Sequence, residues 1–414
     1  MSLMPGSKSA QPQPSSILLR GARLVLPERV TSPASLVVRE GRIARIEEDV
    51  NKGTLQAEAT FDLEGLTLFP GLIDLHIHGA LGVDTMEADA DDLRRVASYL
   101  AEGGVTGWLP TLVPAPAEDY TSAVRAVEQL MREQRELAAT TATPETPTAR
   151  ALGLHYEGPF VSGDRCGALR TEHFRVFKGS ADLDGLPILD LEGASHMMTL
   201  APEIEGGIDL IRELRARGWI ASIGHTSATP EQLERARDAG ARHMTHFMNA
   251  MLPIHQRAPG PVGWGLVRDD VTCDIIADGQ HSDPLMLQLV LRCKGAERVA
   301  LISDAVAPAG LGDGDYTVWG ETIGVRNGRT SNARGNIAGS VIHLRDAVRL
   351  LARLGVAQTE LSAMAARNPA RLLGLADECG TLETGKRADL VAFDDDYRPR
   401  LTLVGGRVAF DALS

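Results

Sequence analysis

The sequence predicts an α/β fold: a (β/α)8 TIM-like barrel with a small β-sandwich domain formed from both chain ends. Between residues 70 and 373, apolar strand-like runs such as ALGLHYEG and WIASIGH alternate with amphipathic helical stretches such as DLIRELRARG and TPEQLERARDAG. Such alternation is typical of a parallel sheet, and at 414 residues a barrel is favoured over an open doubly wound sheet. Polar residues at the ends of the strand-like runs favour the barrel as well.

The two ends of the chain differ from the middle in composition and in the pattern of apolar residues. Residues 1–15 are rich in Ser, Pro and Gln, which predicts a disordered tail. Residues 16–69 and 374–414 consist of short β-like runs with glycine at the turns, for example ILLRGARLVL and GTLETGKRADLVAF. We therefore expect both ends to combine into one small β domain, with residues 70–373 forming the barrel.

Charge and composition exclude several classes of partner. The formal net charge is −13, from 55 acidic and 42 basic residues, and no dense Lys/Arg tract is present, so we expect no nucleic-acid partner. The sequence has no apolar run of about 18 residues and no charged-then-apolar leader, so we expect no membrane partner. Its four cysteines contain no CxxC pair, which is typical of a reducing compartment and predicts a cytoplasmic location.

The stretch PGLIDLHIHG carries two histidines, His76 and His78, at the end of an apolar run. Residues i and i+2 of a strand point to the same face, so both imidazoles are expected to project together. Two nitrogen ligands on one face indicate a metal site, although a single strand-end histidine is more often a hydrogen-bonded structural group.

Further polar residues follow other strand-like runs, which is where barrel active sites are built. Imidazole and carboxylate are preferred ligands of Zn²⁺ and comparable divalent ions. Such an ion lowers the pKa of water, and a nearby carboxylate can then carry the proton. In the segment ISDAV, Asp304 is the candidate carrier. The predicted metal ligands are His76, His78, Glu157, His225, His246 and Asp304.

The remaining histidines are expected to be structural or surface residues. In LHYEG, His155 could orient Glu157, but a role in the core is the favoured interpretation, and His255 is expected in a loop. The others in this class are His173, His196, His243 and His343.

Six motifs, PGLIDLHIHG, HYEGPF, GHTSA, THFMNAM, ADGQHSD and ISDAVAPAG, resemble the amidohydrolase superfamily and, within it, the N-acetylglucosamine-6-phosphate deacetylase family. The resemblance runs from Ile17 to Phe410 and includes the tail NPARLLGL followed by GTLETGKRADLVAFD. It implies a metal-dependent hydrolase that removes the N-acetyl group from an N-acetylhexosamine 6-phosphate and releases acetate.

The resemblance also implies roles for the metal ligands. Glu157, His225 and His246 would hold the ion that is always present. In members that keep both histidines of the pair, the residues matching His76 and His78 help to bind a second ion, with the residue matching Glu157 able to bridge. One or two ions are therefore expected, with Zn²⁺ first and Fe²⁺, Co²⁺ or Mn²⁺ sharing the same ligand preference.

For the substrate, the resemblance implies that Arg257 and His281 bind the sugar phosphate, together with the backbone around Asn249 and Ala250. Guanidinium and imidazolium donors suit a phosphate dianion. Asp304 resembles the family's acid/base group. The resemblance further implies a homodimer.

One departure bears on the substrate. After EGPF the family usually places a histidine against the acetamido region, but here the segment reads RCGALRTEHF, with Leu169 at that position. Either Arg170, His173 or another group substitutes, or the acyl group or sugar differs. The alternative functions are hydrolysis of another N-acyl amino sugar, an N-acyl amino acid or a cyclic amide, and a non-catalytic sugar-phosphate binding protein.

Overall fold

The computed structural model describes residues 14–48, 55–140 and 145–413. Most of the tail predicted to be disordered, residues 1–13, lies outside the described residues. Within the described part, Ser15 donates hydrogen bonds from its backbone nitrogen and its Oγ to the carboxylate of Glu58, at 2.7 and 2.6 Å.

The described elements follow one another along the chain in four groups of strands. The first group is β1 (Ser16–Val25), β2 (Val30–Arg39), β3 (Arg42–Glu47), β4 (Ala59–Asp62) and β5 (Thr67–Pro70). The barrel region contributes β6 (Leu72–Ile77), β7 (Gly79–Ala80), β8 (Val83–Asp84), β9 (Val105–Leu112), β10 (Arg150–Ala151), β11 (Gly153–Glu157), β12 (Ser195–Leu200), β13 (Ile220–Ile223), β14 (His243–Met244), β15 (Thr272–Ile276) and β16 (Val299–Ile302). A small antiparallel sheet follows, made of β17 (Gly314–Val318), β18 (Glu321–Arg326) and β19 (Arg329–Ser331). The last group is β20 (Leu390–Phe393), β21 (Pro399–Val404) and β22 (Arg407–Asp411).

Nine α-helices lie between these strands in the described residues. They are α1 (Ala90–Glu102), α2 (Ala117–Ala139), α3 (Gly207–Ala216), α4 (Pro230–Asp238), α5 (Gly260–Leu266), α6 (Pro284–Lys294), α7 (Leu344–Arg353), α8 (Gln358–Ser362) and α9 (Asn368–Leu372). Local sequence explains several of their starts. Asp89 accepts a hydrogen bond from the backbone nitrogen of Asp92 at the start of α1, and α4 begins with the capping box of Thr229 and Gln232.

The barrel has eight parallel strands in the order β6, β9, β11, β12, β13, β14, β15 and β16. It closes where β16 returns to β6: the backbone nitrogen of Asp304 donates to the carbonyl of His76 at 2.9 Å, and Ile77 bridges Ala305 in parallel. This architecture confirms the predicted (β/α)8 barrel. All strand carboxyl ends therefore meet at one mouth.

The barrel interior is filled rather than hollow. Apolar side chains from five strands, with Leu152 just before β11, form one buried cluster, which α9 and the residues after it complete. Its members are Ile73, Leu75, Leu109, Leu152, Met197, Ile276, Ala300, Ile302, Ala370, Leu373 and Cys379. Burial of this kind stabilises the fold by roughly 25 cal/mol for each Å² of apolar surface removed from water, and it closes the end of the barrel opposite the mouth.

The strands of the two chain ends form a separate eight-stranded sheet, in the order β22, β21, β20, β5, β1, β2, β3, with β4 also paired to β1. It has its own buried cluster, which includes Ile17, Leu36 and Leu403. This confirms that both ends build one β unit. The boundaries at 69/70 and 373/374 stay predictions. No helix in the described part of the chain combines the length and apolar character needed to cross a bilayer.

Candidate active site

The six predicted metal ligands all lie at the barrel mouth. His76 is in β6 and His78 follows that strand, and Glu157 is the last residue of β11. The other three stand two residues beyond their strands: His225 after β13, His246 after β14 and Asp304 after β16.

The backbone turns sharply where these last three residues leave their strands. Their φ angles are +47° at His225, +31° at His246 and +50° at Asp304. Residues with a side chain rarely adopt such angles, and in folded proteins they concentrate at functional sites. Here the turn directs each side chain over the centre of the mouth.

Three of the ligands form a compact group around one carboxylate. Glu157 Oε1 lies 3.0 Å from His225 Nε2 and 3.0 Å from His246 Nε2, and the two Nε2 atoms are 3.1 Å apart. Each of the three residues is 4% exposed. Two imidazole nitrogens and one carboxylate oxygen at this spacing could hold one divalent ion.

A second group shares the same carboxylate. His76 Nε2 and His78 Nε2 lie 3.0 Å apart, and they lie 3.6 and 3.4 Å from Glu157 Oε1 and Oε2 respectively. These three residues also satisfy the geometry for a metal ion. The arrangement therefore has room for two ions with Glu157 between them.

The chemistry of the donors fits a cation. Burial works to raise the pKa of Glu157, but His76, His225 and His246 around it hold that pKa well below its usual range. Burial works to lower the pKa of His246, yet the hydrogen bond and charge of Glu157 outweigh it and raise that pKa to about 9. Both shifts reflect the pairing of an ionised Glu157 carboxylate with the imidazoles around it, and an ionised carboxylate is the form that binds a divalent ion.

Buried nitrogen atoms on the outer side of the cluster are also without protein partners. Among the described residues, the Nδ1 atoms of His76, His78 and His246 have no hydrogen bond. His225 differs, because its Nδ1 lies 2.7 Å from the carbonyl of Arg165. That contact fixes the ring so that Nε2 faces Glu157, as the outer contacts of metal-bound histidines commonly do.

The carboxylate of Asp304 completes the cluster. Its Oδ1 lies 3.5 Å from His76 Nε2 and 3.3 Å from His78 Nε2, and the residue is 7% exposed. It also lines the cavity above the cluster. Asp304 is thus placed both to approach a metal ion and to exchange a proton with a molecule in the cavity.

A buried aspartate that was not among the predicted site residues holds His246 in place from the barrel side of the cluster. Asp274, in the middle of β15, accepts a hydrogen bond from the backbone nitrogen of His246 and lies 3.0 Å from His243 Nε2. This agrees with the structural role expected for His243. The signal in the sequence was a single acidic residue inside the apolar run CDII.

A cavity of about 420 Å³ opens above the cluster. The predicted substrate residues Asn249, Ala250 and His281 line it. The ring of His281 is held by Asp278, whose Oδ2 lies 2.7 Å from His281 Nδ1. Arg257 is not among the residues that line this cavity; it lies in an exposed loop, where its backbone nitrogen donates to His255 Nδ1.

The segment that departs from the family pattern also reaches this cavity. The side chain of Leu169 is buried and lines it, whereas Arg170 and His173 do not. Arg170 instead lines a neighbouring cavity, together with Trp319. Trp319 lines both cavities, although no motif in the sequence marks it as a site residue.

The chain resembles known proteins over nearly its whole length. The Amidohydrolase family model matches residues 67–409. The N-acetylglucosamine-6-phosphate deacetylase of Bacillus subtilis (strain 168) is 34% identical over 402 residues, covering 95% of this chain and 97% of that one. The N-acetylgalactosamine-6-phosphate deacetylase of Escherichia coli O157:H7 is 36% identical over 393 residues, covering 95% and 99% respectively.

Solved structures agree. The crystal structure of N-acetylglucosamine-6-phosphate deacetylase from Pasteurella multocida matches with a TM-score of 0.85 at 29% identity, covering 95% of this chain and 99% of that one. A mutant of the Mycobacterium smegmatis enzyme, in complex with N-acetyl-D-glucosamine-6-phosphate, matches with a TM-score of 0.83 at 31% identity and the same coverage.

Proposed function

The chain belongs to the amidohydrolase family, and on that premise we propose that it removes the N-acetyl group from an N-acetylhexosamine 6-phosphate. N-acetylglucosamine 6-phosphate is the first candidate, and the products are the amino sugar phosphate and acetate. One observation supports this most strongly: Glu157, His225 and His246 converge with Asp304 under a cavity, in a chain 34% identical to a named deacetylase.

Glu157, His225 and His246 would hold the first divalent ion, and His76 and His78 would hold a second with Glu157 between them. Zn²⁺ is the first candidate, with Fe²⁺, Co²⁺ and Mn²⁺ as alternatives, because these ions accept the same imidazole and carboxylate ligands. When bound, such an ion lowers the pKa of water and polarises the carbonyl group of the amide.

Asp304 would move the proton. Its carboxylate accepts a proton from the attacking water and then donates it to the amide nitrogen as the C–N bond breaks, so that the amine leaves neutral together with acetic acid, which loses its proton to solvent and becomes acetate. Its position beside His76 and His78 and on the cavity wall supports this role. The residues at the barrel mouth would further accelerate the reaction by holding the acyl carbon in position over the cluster.

His281 would bind the sugar phosphate. Because its Nδ1 faces Asp278, its Nε2 is left for a ligand in the cavity. The hydrogen bond to His281 outweighs the effect of burial and holds the pKa of Asp278 below its usual range, so Asp278 is an ionised acceptor that orients the imidazole. Backbone groups near Asn249 and Ala250, and Arg257 from its exposed loop, are further candidates. We also propose a homodimer in the cytoplasm.

The test is acetate release by metal-reconstituted protein from N-acetylglucosamine 6-phosphate, its galactosamine epimer and the unphosphorylated sugar. Release that requires the phosphate would support the proposal, and the ratio of the two epimers would identify the preferred sugar. Asp304→Asn, folded and metal-loaded, should lower kcat/KM by roughly 10²- to 10⁴-fold. Near-normal turnover by this variant would rule out the role of Asp304.

A second candidate function is hydrolysis of another N-acyl amino sugar, N-acyl amino acid or cyclic amide. The observation that favours it is Leu169, a buried side chain on the cavity wall that cannot donate a hydrogen bond. Release of acid from such a substrate without a phosphate requirement would select this function. Tight binding of the sugar phosphate without acetate release would instead indicate a non-catalytic binding protein.

A further inference from the structure

The small sheet after β16 contains two turns of the same geometry. Trp319 and Gly320 join β17 to β18, with φ angles of +52° and +75°. Asn327 and Gly328 join β18 to β19, also with φ angles of +52° and +75°. Both are two-residue hairpin turns with a left-handed backbone at each central position.

The two turns differ in the first residue. Asn followed by Gly is the preferred sequence for such a turn, because asparagine tolerates the left-handed region and glycine has no side chain to clash. Tryptophan is poorly suited to that position, since its side chain makes the left-handed backbone costly. A residue that breaks a local rule in this way is a candidate for function.

The location of the indole ring indicates what that function is. The ring of Trp319 packs edge-on against the ring of His78, with centroids 5.3 Å apart. It lines the cavity above the metal cluster and also a second cavity of about 460 Å³. Besides Trp319 and Gly320, the second cavity is lined by Met86, Glu87, Ala88, Asp119, Ser122 and Arg170. Trp319 therefore forms a wall between the two cavities.

The strand order indicates which part of a substrate meets this wall. Asn249 and His281 follow β14 and β15, whereas His78 follows β6, which is separated from β15 by β16 and so occupies a different part of the mouth. If the sugar phosphate lies over β14 and β15 with its amide at the cluster, the acyl group points toward His78 and Trp319.

We propose that Trp319 limits the length of the acyl group that the enzyme accepts, by closing the metal cavity toward the second cavity. This inference rests on the proposed deacetylase function. An acetyl methyl group fits before the indole, and a longer chain would collide with it. Removing the ring would join the two cavities and admit the longer chain.

The test compares N-acetyl-, N-propanoyl- and N-butanoylglucosamine 6-phosphate by amine release from metal-loaded protein. Trp319→Gly removes the ring and suits the left-handed backbone. We expect the ratio of kcat/KM for the N-butanoyl to the N-acetyl substrate to rise roughly tenfold or more, the order of discrimination that one methylene gives in a tight pocket. Asn327→Gly, a substitution at the same φ in the neighbouring turn, should leave this ratio unchanged.

An unchanged ratio in folded Trp319→Gly would overturn the inference. If that variant does not fold, Trp319→Leu carries the same test, and an unchanged N-propanoyl to N-acetyl ratio there would overturn it equally. Failure of the deacetylase function itself is distinguishable, because the wild-type protein would then release no amine from the N-acetyl substrate.

Discussion

The two ends of strand β14 carry two histidines with opposite surroundings. At the start of the strand, His243 has both ring nitrogens engaged, Nδ1 with Thr272 Oγ1 at 2.7 Å and Nε2 with Asp274 at 3.0 Å. Just past the other end, the Nδ1 of His246 is buried without a partner among the described residues, and its Nε2 faces another imidazole. The first environment is complete within the protein, whereas the second is the one that we propose a metal ion completes.

The same contrast extends to the barrel as a whole. Near the starts of the strands, Lys294 donates to the carbonyls of Gly265, Arg268 and Val271, and Asn368 donates to two more. At the mouth, by contrast, several residues have a left-handed backbone and several imidazole nitrogens have no hydrogen-bond partner among the described residues. Barrel enzymes generally separate stability and catalysis between these two ends. Substitutions at the two ends should therefore differ in kind as well as in size.

The largest effect is expected at the mouth. His246→Ala removes a proposed metal ligand that Glu157 and His225 cannot replace, and we expect kcat/KM to fall about a thousandfold or more, because a metal ion supplies several kcal/mol of transition-state stabilisation. Metal content measured after dialysis should fall as well. Urea denaturation of the metal-free proteins should show at most a modest loss of stability, because Glu157 keeps His76 and His225 as partners.

The matched control is His243→Ala in the same strand. It leaves Asp274 short of a buried partner, so the free energy of unfolding should fall by about 2 kcal/mol. Activity per folded molecule should fall by roughly tenfold at most, because Asp274 still holds the backbone of His246. Equal activity losses in His243→Ala and His246→Ala would show that stability and catalysis are not separated between the two ends of the barrel.

At the closed end, Lys294→Met should lower the free energy of unfolding by about 3 kcal/mol, because three buried carbonyl groups lose their donor. Urea denaturation measures this loss, and Lys178→Met, at an exposed position, should change stability by less than about 0.5 kcal/mol. Activity of folded Lys294→Met should stay close to that of the wild type. A strong activity loss without destabilisation would contradict the division of roles.

A smaller effect concerns pH. Burial lowers the pKa of His343, whose ring stacks on Tyr99 at 4.0 Å, to about 3. Since the pKa of an unfolded histidine is about 6.5, the unfolded chain binds the extra proton, and stability falls as pH drops from 6.5 toward 3. At pH 5 the loss is about 2 kcal/mol. His343→Gln should flatten this part of the pH–stability profile measured by urea denaturation, and an unchanged slope would contradict the assignment.

Features that follow from the strand pattern alone could be predicted from the sequence. The alternation of strands and helices predicts the barrel. Because the carboxyl ends of all its parallel strands lie at one mouth, the barrel alone predicts that His76, Glu157 and Asp304 come together. The HxH spacing likewise predicts that two imidazoles share a face, and their Nε2 atoms lie 3.0 Å apart.

Contacts that depend on loop paths could not be predicted in this way. The position of Trp319 against His78 depends on a hairpin turn with a left-handed backbone at Trp319. Tryptophan disfavours that backbone, so nothing in the sequence predicted a turn there. Arg170 is adjacent in sequence to Leu169, yet the two side chains line different cavities. Asp274 looked like an interruption of an apolar strand because its partners, His243 and the backbone of His246, come from the neighbouring strand and from the turn beyond it.

The pairing of β5 with β20 has a consequence for how the chain is made. One edge of β5 pairs with β1, but the other pairs with β20 from Thr67–Phe393 to Pro70–Leu390. A ribosome must add residues 71–389 before β20 emerges, which takes roughly 15 to 65 s at about 5–20 residues per second. Through that time the edge of β5 is open to other chains. The nascent protein thus depends on protection of this edge while the barrel is completed.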